Sequence, residues 1–261
     1  MDSFEQLACW AFNCDRAQLY TGDYEADEED IKLFHEVLDS YARGIPVQYI
    51  TGEAEFMGFD FDVNPSVLIP RPETEILVER SLALIEREGM AEPLILDLGT
   101  GSGAIAVSLT KLSPSCKMVA SDVSEEALEV GRENAAANGV GDRIKFVLSD
   151  FFECIPEKEK FDLVISNPPY IPSEDYGSLP LEVRSEPRIA LDGGRKGLEF
   201  YRKIIPGSAK RLKRGGYLIL EIGYGQTAVI RGLIKSAGSY RDVEIIKDYN
   251  DIDRIVFAKR R

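Results

Sequence analysis

The clearest indication of the fold class is the sequence of residues 93–103, Pro93-Leu94-Ile95-Leu96-Asp97-Leu98-Gly99-Thr100-Gly101-Ser102-Gly103. Its first half is a short apolar run, which is typical of a buried strand. Glycines then stand at alternate positions, and helical spacing follows from Gly103 to Leu112. Glycine permits a tight turn and a close approach of the backbone to a ligand, and a helix N-terminus offers free N–H groups. The stretch therefore predicts a strand, a ligand-binding loop and a helix.

On the C-terminal side of this stretch, strand-like and helical segments alternate. Further strands are predicted at residues 117–122, 144–150, 161–166 and 217–222, with helices at 124–138, 198–212 and 227–236. Gly215 and Gly216 are expected to stop the helix 198–212. Two closing strands, 243–247 and 254–259, have a link too short for a parallel crossover, so they should pair antiparallel. The pattern predicts an α/β fold with a doubly wound, seven-stranded, mostly parallel sheet and an antiparallel last strand.

The N-terminal side has a different character. Apolar residues recur at helical spacing within residues 1–45, which predicts a small helical domain. Residues 46–72 are rich in Gly and Pro and their aromatic residues nearly alternate, which predicts a β-hairpin linker. A helix is predicted from Thr74 to Glu88. We therefore divide the chain into a helical domain (1–45), a linker (46–72) and an α/β domain (73–261).

Composition narrows the class of protein. The 261 residues are 44% hydrophobic and 29% charged, as in ordinary globular proteins. No stretch of about 18 apolar residues exists, so no membrane span is expected. The net charge of −14 repels phosphate backbones and disfavours a nucleic-acid substrate. The first residues contain neither a basic nor an apolar signal region, so a cytoplasmic protein is expected.

The few cysteine and histidine residues argue against metal and triad chemistry. Four cysteines are too sparse for a disulfide framework, and Cys9 and Cys14 lack further ligands to complete a metal site. The single histidine, His35, lies on a predicted helix far from the glycine-rich loop, which disfavours a Ser-His-Asp triad. No metal site is predicted.

Two further strand ends carry residues suited to a nucleoside. Asp122 ends the second strand, and a carboxylate there can accept hydrogen bonds from both hydroxyls of a ribose. The alternative role for Asp122 is a helix N-cap. Asp150 and Phe151 follow the third strand and suit an adenine, with a carboxylate for the amine and a ring for the base face. The alternative for Phe151 is core packing.

The motif Asn167-Pro168-Pro169-Tyr170 follows the fourth strand. The prolines cannot continue the hydrogen-bond ladder, so the motif should leave the sheet at its carboxyl edge, where ligands bind in such folds. The Asn167 amide and the Pro168 carbonyl can each accept one N–H of a planar NH2 group, and Tyr170 can lie against a flat group. Such an amine is a weak nucleophile, so the site mainly needs alignment and a desolvated pocket.

The glycine loop fits two classes of cofactor. Gly99, Gly101 and Ala104 fit a relaxed dinucleotide-binding fingerprint. The preceding Asp97 and the third glycine, Gly103, instead give an Asp-x-Gly-x-Gly-x-Gly form. That form resembles the first motif of S-adenosylmethionine-dependent methyltransferases.

Nearly the whole chain resembles the protein-(glutamine N5) methyltransferases that modify peptide chain release factors. The resemblance is carried by Pro46-Val47-Gln48-Tyr49-Ile50-Thr51-Gly52, Val67 through Glu75, Asp97 through Gly103, Asn167 through Tyr170 and Glu186 through Gly194. Asn-Pro-Pro-Tyr alone is shared with DNA and RNA adenine N6-methyltransferases, and the linker and the Glu-Pro-Arg stretch narrow the family.

The resemblance implies a class I methyltransferase fold, S-adenosylmethionine as cofactor, and the glutamine of the Gly-Gly-Gln loop of class I release factors as substrate. The cofactor residues it implies are Asp97, Gly99, Thr100, Gly101, Ser102, Gly103, Asp122, Asp150, Phe151 and Asn167, with Arg71 and Thr74 near the pocket. Asn167 and Pro168 would grip the glutamine amide, with Pro169 and Tyr170 completing the catalytic turn. The helical domain would help grip the release factor.

The sequence differs from the usual pattern of the family in two ways. The family usually has one more N-terminal helix before Glu5, and an acidic residue where this chain has Lys196.

The sequence leaves three alternative functions open. A nucleic-acid methyltransferase would use the same clamp on an adenine or guanine amine and predicts a basic face near Asn167, from residues such as Arg184 and Arg188. A dinucleotide-dependent oxidoreductase leaves the Asn-Pro-Pro-Tyr motif unexplained. A binding module without catalysis is disfavoured by the intact Asn167.

Overall fold

The structure is a computed structural model and describes residues 2–261. Its helices are α1 (Ser3–Ala11), α2 (Arg16–Thr21), α3 (Glu28–Ala42), α4 (Val47–Thr51), α5 (Pro72–Arg87), α6 (Ala104–Leu112), α7 (Glu125–Ala137), α8 (Leu181–Arg184), α9 (Arg188–Leu191), α10 (Glu199–Arg211) and α11 (Thr227–Ala237). Its strands are β1 (Glu53–Phe56), β2 (Phe59–Asp62), β3 (Leu94–Leu98), β4 (Lys117–Asp122), β5 (Ile144–Leu148), β6 (Phe161–Ser166), β7 (Leu212–Glu221), β8 (Tyr240–Lys247) and β9 (Asp253–Arg260).

The main sheet has seven strands in the order β5-β4-β3-β6-β7-β9-β8. The strands from β5 to β7 are parallel to one another, and β9 runs antiparallel to both β7 and β8. The predicted doubly wound, mostly parallel sheet with an antiparallel last strand is therefore confirmed. The strand order reverses between β3 and β6, and ligands bind at such a switch point in open α/β sheets.

Helices cover both faces of the sheet and bury a separate core on each. One core includes apolar side chains of α5, α6 and α7, and the other includes those of α10 and α11. Ile95 belongs to the first core and Leu96 to the second, because successive side chains of a strand point to opposite faces. Burial on both faces explains why the strands read as continuous apolar runs.

The N-terminal region consists of short capped helices around a small core of Leu7, Val37 and Val47. Asp2, Asp15 and Asp27 each form a capping box at the start of a helix. Asp27 is followed by Glu28, Glu29 and Asp30, whose carboxylates fill the first turn of α3, where negative charge is favourable. Helix α2 lies within the predicted helical domain. Helix α4 lies in the predicted hairpin linker and was not predicted, because five residues are too few to show helical periodicity.

The hairpin β1–β2 is confirmed in the linker. Met57 and Gly58 form its turn, both with positive φ (54° and 73°), which matches the strand twist of a tight hairpin. The helix predicted from Thr74 is also confirmed, and α5 begins at Pro72 because proline suits the first helical turn.

The prediction that Gly215 and Gly216 stop a helix is wrong. Helix α10 ends at Arg211, and β7 begins at once at Leu212 and runs through both glycines. A bulge interrupts the β6–β7 pairing between Phe161 and Leu163, and Gly215 has a φ of 80°. A Cβ on Gly216 would lie 2.7 Å from the Asp162 carbonyl oxygen. The glycines therefore allow a bulged strand rather than ending a helix.

Across residues 2–261, no helix is both long and apolar enough to cross a membrane. In the same range, no group of three or more His, Cys, Asp or Glu side chains is arranged to hold a metal ion.

Candidate active site

A cavity of about 330 Å³ opens at the carboxyl edge of the parallel strands. Its volume falls in the range of about 300–1,000 Å³ that is usual for small-molecule sites. The predicted site residues that line it are Gly99, Gly101, Asp122, Asp150, Phe151, Asn167, Pro168 and Pro169. Residues from the ends of β3, β4, β5 and β6 thus meet at the strand-order reversal. The structure brings both predicted motifs to one cavity.

The glycines of the loop have two different roles. Gly99 and Gly101 have φ values of 72° and 55°, and a Cβ on either would point into open space. These two glycines let the backbone turn at the cavity wall. Gly103 does not line the cavity. A Cβ there would lie 3.3 Å from the Gly131 Cα, so Gly103 instead lets α6 pack closely on α7.

Asp97 lies buried beneath the loop and does not line the cavity. Its Oδ2 accepts a hydrogen bond from Thr100 Oγ1 at 2.7 Å. Its Oδ1 is buried and has no hydrogen-bond partner among the residues that the structure describes. Burial raises the pKa of Asp97 to about 7, against the opposing effect of the Thr100 hydrogen bond. A buried acceptor without a partner suits a donor group of a bound ligand.

Thr100 and Ser102 are also buried and stand behind the cavity wall. The Thr100 side chain bonds to Asp97. The Ser102 carbonyl accepts a hydrogen bond from Asn134 Nδ2 at 2.9 Å. In the structure both residues therefore stabilise the conformation of the loop.

Asp122 fastens the loop to the end of β4. Its Oδ2 accepts from the Gly101 N–H at 2.9 Å, and its Oδ1 accepts from the Ser124 N–H at 3.1 Å. The N-cap of α7 is Ser124, so Asp122 is not a helix cap. A carboxylate oxygen can accept more than one hydrogen bond, so Asp122 can still receive hydroxyl groups from the cavity.

Asp150 and Phe151 form the far end of the cavity. The Asp150 side chain is exposed, and Phe151 is half-buried with its ring centroid 5.5 Å from that of Phe200. Lys203 Nζ lies 5.1 Å from the Phe151 ring centroid. Phe151 adopts a φ of 51°, which is rare for an aromatic residue and typical of functional sites. These residues offer a carboxylate and a ring face, as an adenine would require.

The opposite side of the cavity is lined by Asn167, Pro168 and Pro169. A hydrogen-bond chain connects Asn167 with Glu221, a residue that the sequence did not predict. Asn167 Nδ2 donates to Thr74 Oγ1 at 3.1 Å, and Thr74 Oγ1 donates to Glu221 Oε2 at 2.7 Å. Glu221 is the last residue of β7 and is only 1% exposed. Its signal in the sequence is a lone carboxylate at the end of an apolar strand run.

Glu221 also holds Tyr170. The Tyr170 hydroxyl donates to Glu221 Oε1 at 3.4 Å, and the Tyr170 carbonyl accepts from Gln226 Nε2 at 3.0 Å. Burial raises the pKa of Glu221 to about 7, while Thr74 and Arg254 act in the opposite direction. Tyr170 does not line the cavity. In the structure it packs with the core on the α10 side of the sheet.

Arg71 supports a wall of the cavity. It forms a salt bridge with the buried Glu186, whose other oxygen accepts from the Ile69 N–H at 3.1 Å. This pair ties the linker to the segment that follows the Asn-Pro-Pro-Tyr turn. Ile189 and Ala190 of that segment line the cavity. Arg71 and Thr74 thus lie behind the cavity lining.

The cavity fits the nucleoside-bearing cofactor that the sequence implies. Gly99 and Gly101 leave open space where side chains would stand, Asp122 faces that space, and Asp97 offers an unpartnered buried oxygen. Asp150 and Phe151 complete the opposite end. The residues that could hold the cofactor are therefore present and adjacent.

Known protein families and relatives match most of this chain. Residues 74–177 match the family described as the methyltransferase small domain, and residues 2–52 match the PrmC N-terminal domain. A release factor glutamine methyltransferase from Moorella thermoacetica is 42% identical over 98% of this chain and 90% of its own length. Another, from Aquifex aeolicus, is 42% identical over 90% of this chain and 82% of its own.

A solved structure supports the fold alone. A methyltransferase from Pyrococcus furiosus matches with a TM-score of 0.56 at 19% identity, covering 86% of this chain and 98% of its own. The chain is thus like methyltransferases in fold, and like one family of them in sequence along nearly its whole length. It belongs to the release factor glutamine methyltransferase family.

Proposed function

We propose that this enzyme transfers a methyl group from S-adenosylmethionine to the side-chain nitrogen N5 of the glutamine in the Gly-Gly-Gln motif of class I release factors. The proposal rests on two binding elements that line one cavity. The amide-gripping turn at Asn167 and Pro168 lines the same cavity as the glycine loop and Asp122. A methyl donor and an amide acceptor bound there would be held side by side. The family membership of the chain supports the same substrate.

Asn167 presents an acceptor to the cavity. One hydrogen of its Nδ2 is donated to Thr74 Oγ1, which turns Oδ1 the other way, so Oδ1 is the acceptor atom that remains for a ligand. Oδ1 and the Pro168 carbonyl oxygen would each accept one N–H of the glutamine amide. Holding both hydrogens fixes the orientation of the amide plane, so that the nitrogen lone pair, which lies perpendicular to that plane, can face the methyl group. This alignment is the main contribution that the protein makes to the reaction.

The bound cofactor supplies an electrophilic methyl group on a positively charged sulfur. Methyl transfer would form a nitrogen–carbon bond as the carbon–sulfur bond breaks; the cofactor would leave as a neutral thioether, and the amide nitrogen would lose one proton to solvent water. Asp122 would hold the ribose, Asp150 and Phe151 the adenine, and Asp97 a donor group near the loop. Apolar side chains such as Val67, Leu98 and Ile189 also line the cavity and would help to exclude water from the weak nucleophile.

The N-terminal region is proposed to grip the release factor. It matches a domain described for this family over residues 2–52. We propose residues 1–45 as the helical domain, 46–72 as the linker and 73–261 as the methyltransferase domain. Ser185 Oγ donates to the Gly44 carbonyl at 2.9 Å, so the helical region touches the segment that walls the cavity. A release factor bound to this region would therefore lie beside the active site. A substrate that acts in translation supports a cytoplasmic location for the enzyme.

The charge distribution favours a protein substrate over a nucleic acid. Residues 171–199, which border the Asn-Pro-Pro-Tyr turn, contain six acidic and four basic side chains. Arg188 is held by Asp192 at 2.9 Å and lies over the Tyr176 ring. A flipped base with its phosphates would need a basic border here.

A labelling experiment tests the proposal. Purified protein is incubated with radiolabelled S-adenosylmethionine and a bacterial release factor, the same factor with its Gly-Gly-Gln glutamine changed to alanine, or DNA and RNA in single- and double-stranded form. Label should appear on the intact release factor alone. Label on the alanine variant at an equal level, or on nucleic acid only, would reject the proposed substrate.

A further inference from the structure

A buried carboxylate stands behind the amide that grips the substrate. Ser166 of β6 pairs with Leu220 of β7, so the next residues, Asn167 and Glu221, end neighbouring strands. Thr74, from the first turn of α5, lies between their side chains. Glu221 does not line the cavity, and each of its carboxylate oxygens already accepts a hydrogen bond from a side chain of the protein.

The three side chains form a hydrogen-bond chain with a fixed direction. An ionised carboxylate only accepts, so the single hydrogen of the Thr74 hydroxyl is committed to Glu221 Oε2 at 2.7 Å. Thr74 Oγ1 can then only accept from Asn167, and it does so from Nδ2 at 3.1 Å. An Asn167 amide turned by 180° would place its oxygen against the Thr74 oxygen. The carboxylate thus decides which end of the Asn167 amide faces the cavity.

We propose that Glu221, acting through Thr74, is a positioning residue that keeps Asn167 Oδ1 directed at the substrate amide. The inference rests on the proposed function, because the Asn167 orientation matters only for a substrate that offers N–H groups. With Nδ2 facing the cavity, donors would meet donors and the glutamine nitrogen would not be aligned. The buried carboxylate therefore supports the reaction without contact with a reactant.

Several groups surround Glu221 and set its protonation. Besides Thr74, they are Glu73 on α5, Tyr170 after β6, Tyr201 on α10 and Arg254 on β9, which itself pairs with Asp248. Burial raises the pKa of Glu221 to about 7, and Thr74 and Arg254 oppose this shift. A protonated Glu221 can donate to Thr74, which frees the Thr74 hydrogen to point at Asn167. Turnover at saturating cofactor should therefore fall as the pH drops through about 7.

Paired substitutions at Thr74 test the relay. Thr74→Val keeps the shape and removes the hydroxyl, and Thr74→Ser keeps the hydroxyl. We expect kcat for release factor methylation to fall about 30-fold in Thr74→Val and to stay within about threefold of wild type in Thr74→Ser, since a misplaced contact can cost about 100-fold. The Kd for S-adenosylmethionine should stay within about twofold in both. Ser81→Ala, which removes another buried hydroxyl from the same helix, is the matched control.

Side-chain NMR gives a second measurement that needs no turnover. In ¹⁵N-labelled protein, the Asn167 side-chain amide signals should shift as the pH passes through about 7, and Glu221→Gln should abolish that shift. Equal kcat values for Thr74→Val and Thr74→Ser, or an unchanged amide titration in Glu221→Gln, would overturn the inference. If Thr74→Val does not fold, the NMR titration decides alone. A wild-type protein that leaves the release factor unmethylated while the amide titrates as expected would instead reject the proposed function.

Discussion

The two halves of the active site are built in different ways. The cofactor half is local, because Thr100 bonds to Asp97 three residues away and Gly101 bonds to Asp122 in the next strand. The substrate half is assembled from distant parts of the chain, because Asn167 bonds to Thr74 and Thr74 bonds to Glu221, 147 residues away. The first half depends on a loop conformation, and the second on the packing of α5 against the ends of β6 and β7. Substitutions in the two halves should therefore damage different steps.

The sharpest test of this difference is Asn167→Ala. Loss of the gripping amide should reduce kcat about 100-fold or more, because alignment supplies most of the acceleration. The Kd for S-adenosylmethionine, measured by calorimetry, should remain close to that of wild type. Turnover near the wild-type level would contradict the role of Asn167, and a large loss of cofactor affinity would mean that the two halves are not separate.

Asp122→Ala should show the opposite pattern. The variant loses the acceptor for the Gly101 and Ser124 N–H groups and for the proposed ribose hydroxyls. We expect the Kd for S-adenosylmethionine to rise about 30-fold, since each charged hydrogen bond contributes about 1.5–3 kcal/mol. At saturating cofactor, kcat should recover to within a few fold of wild type. Unchanged affinity in the calorimeter would reject the ribose assignment.

Glu221→Gln should show how much the buried carboxylate of the substrate half lowers the free energy of unfolding at high pH. The pKa of Glu221 is raised to about 7, so the folded state holds its proton more tightly than the unfolded state. Wild-type stability contributed by this group is therefore present at low pH and is lost as the pH rises from about 4.5 to 7. Replacement by the neutral amide should raise the free energy of unfolding by about 3 kcal/mol at pH 8 and change it little at pH 4.5. Urea unfolding at the two pH values measures this, and an equal change at both would contradict it.

Gly103→Ala should have the smallest effect. The residue has a φ of 80°, and the new Cβ would lie 3.3 Å from the Gly131 Cα. We expect a loss of about 1–2 kcal/mol in unfolding free energy, from the positive φ and the tight helix contact. Because Gly103 does not line the cavity, cofactor affinity should fall much less than in Asp122→Ala. Gly232→Ala, on α11 with open space around it, is the matched control.

The same contrast explains what the sequence could predict. The alternation of strands and helices predicts the sheet, and the glycine spacing predicts the loop, because both are encoded in contiguous residues. The bulged start of β7 was missed, because Gly215 and Gly216 look like a helix stop when their strand partners are unknown. Gly103 was expected to line the cofactor, yet its contact with Gly131 becomes visible only when α6 and α7 are packed.

Glu221 shows the limit most clearly. In the sequence it is one carboxylate in the strand run Tyr217 to Ile222, and nothing nearby connects it with Asn167. The β6–β7 register brings the two together, and α5 brings Thr74 between them. Motifs therefore predict the residues that touch ligands, while the residues that orient them depend on the three-dimensional fold.

The position of the transferred methyl group tests most directly whether Asn167 aligns the amide of the Gly-Gly-Gln glutamine. The wild-type enzyme and Asn167→Ala would each be incubated with a release factor and deuteromethyl-labelled S-adenosylmethionine, and the release factor peptides would be sequenced by tandem mass spectrometry. We predict one labelled methyl group on the side-chain amide of the Gly-Gly-Gln glutamine with the wild type, and almost none with Asn167→Ala. A label on any other residue, or equal labelling of that glutamine by both proteins, would contradict the account.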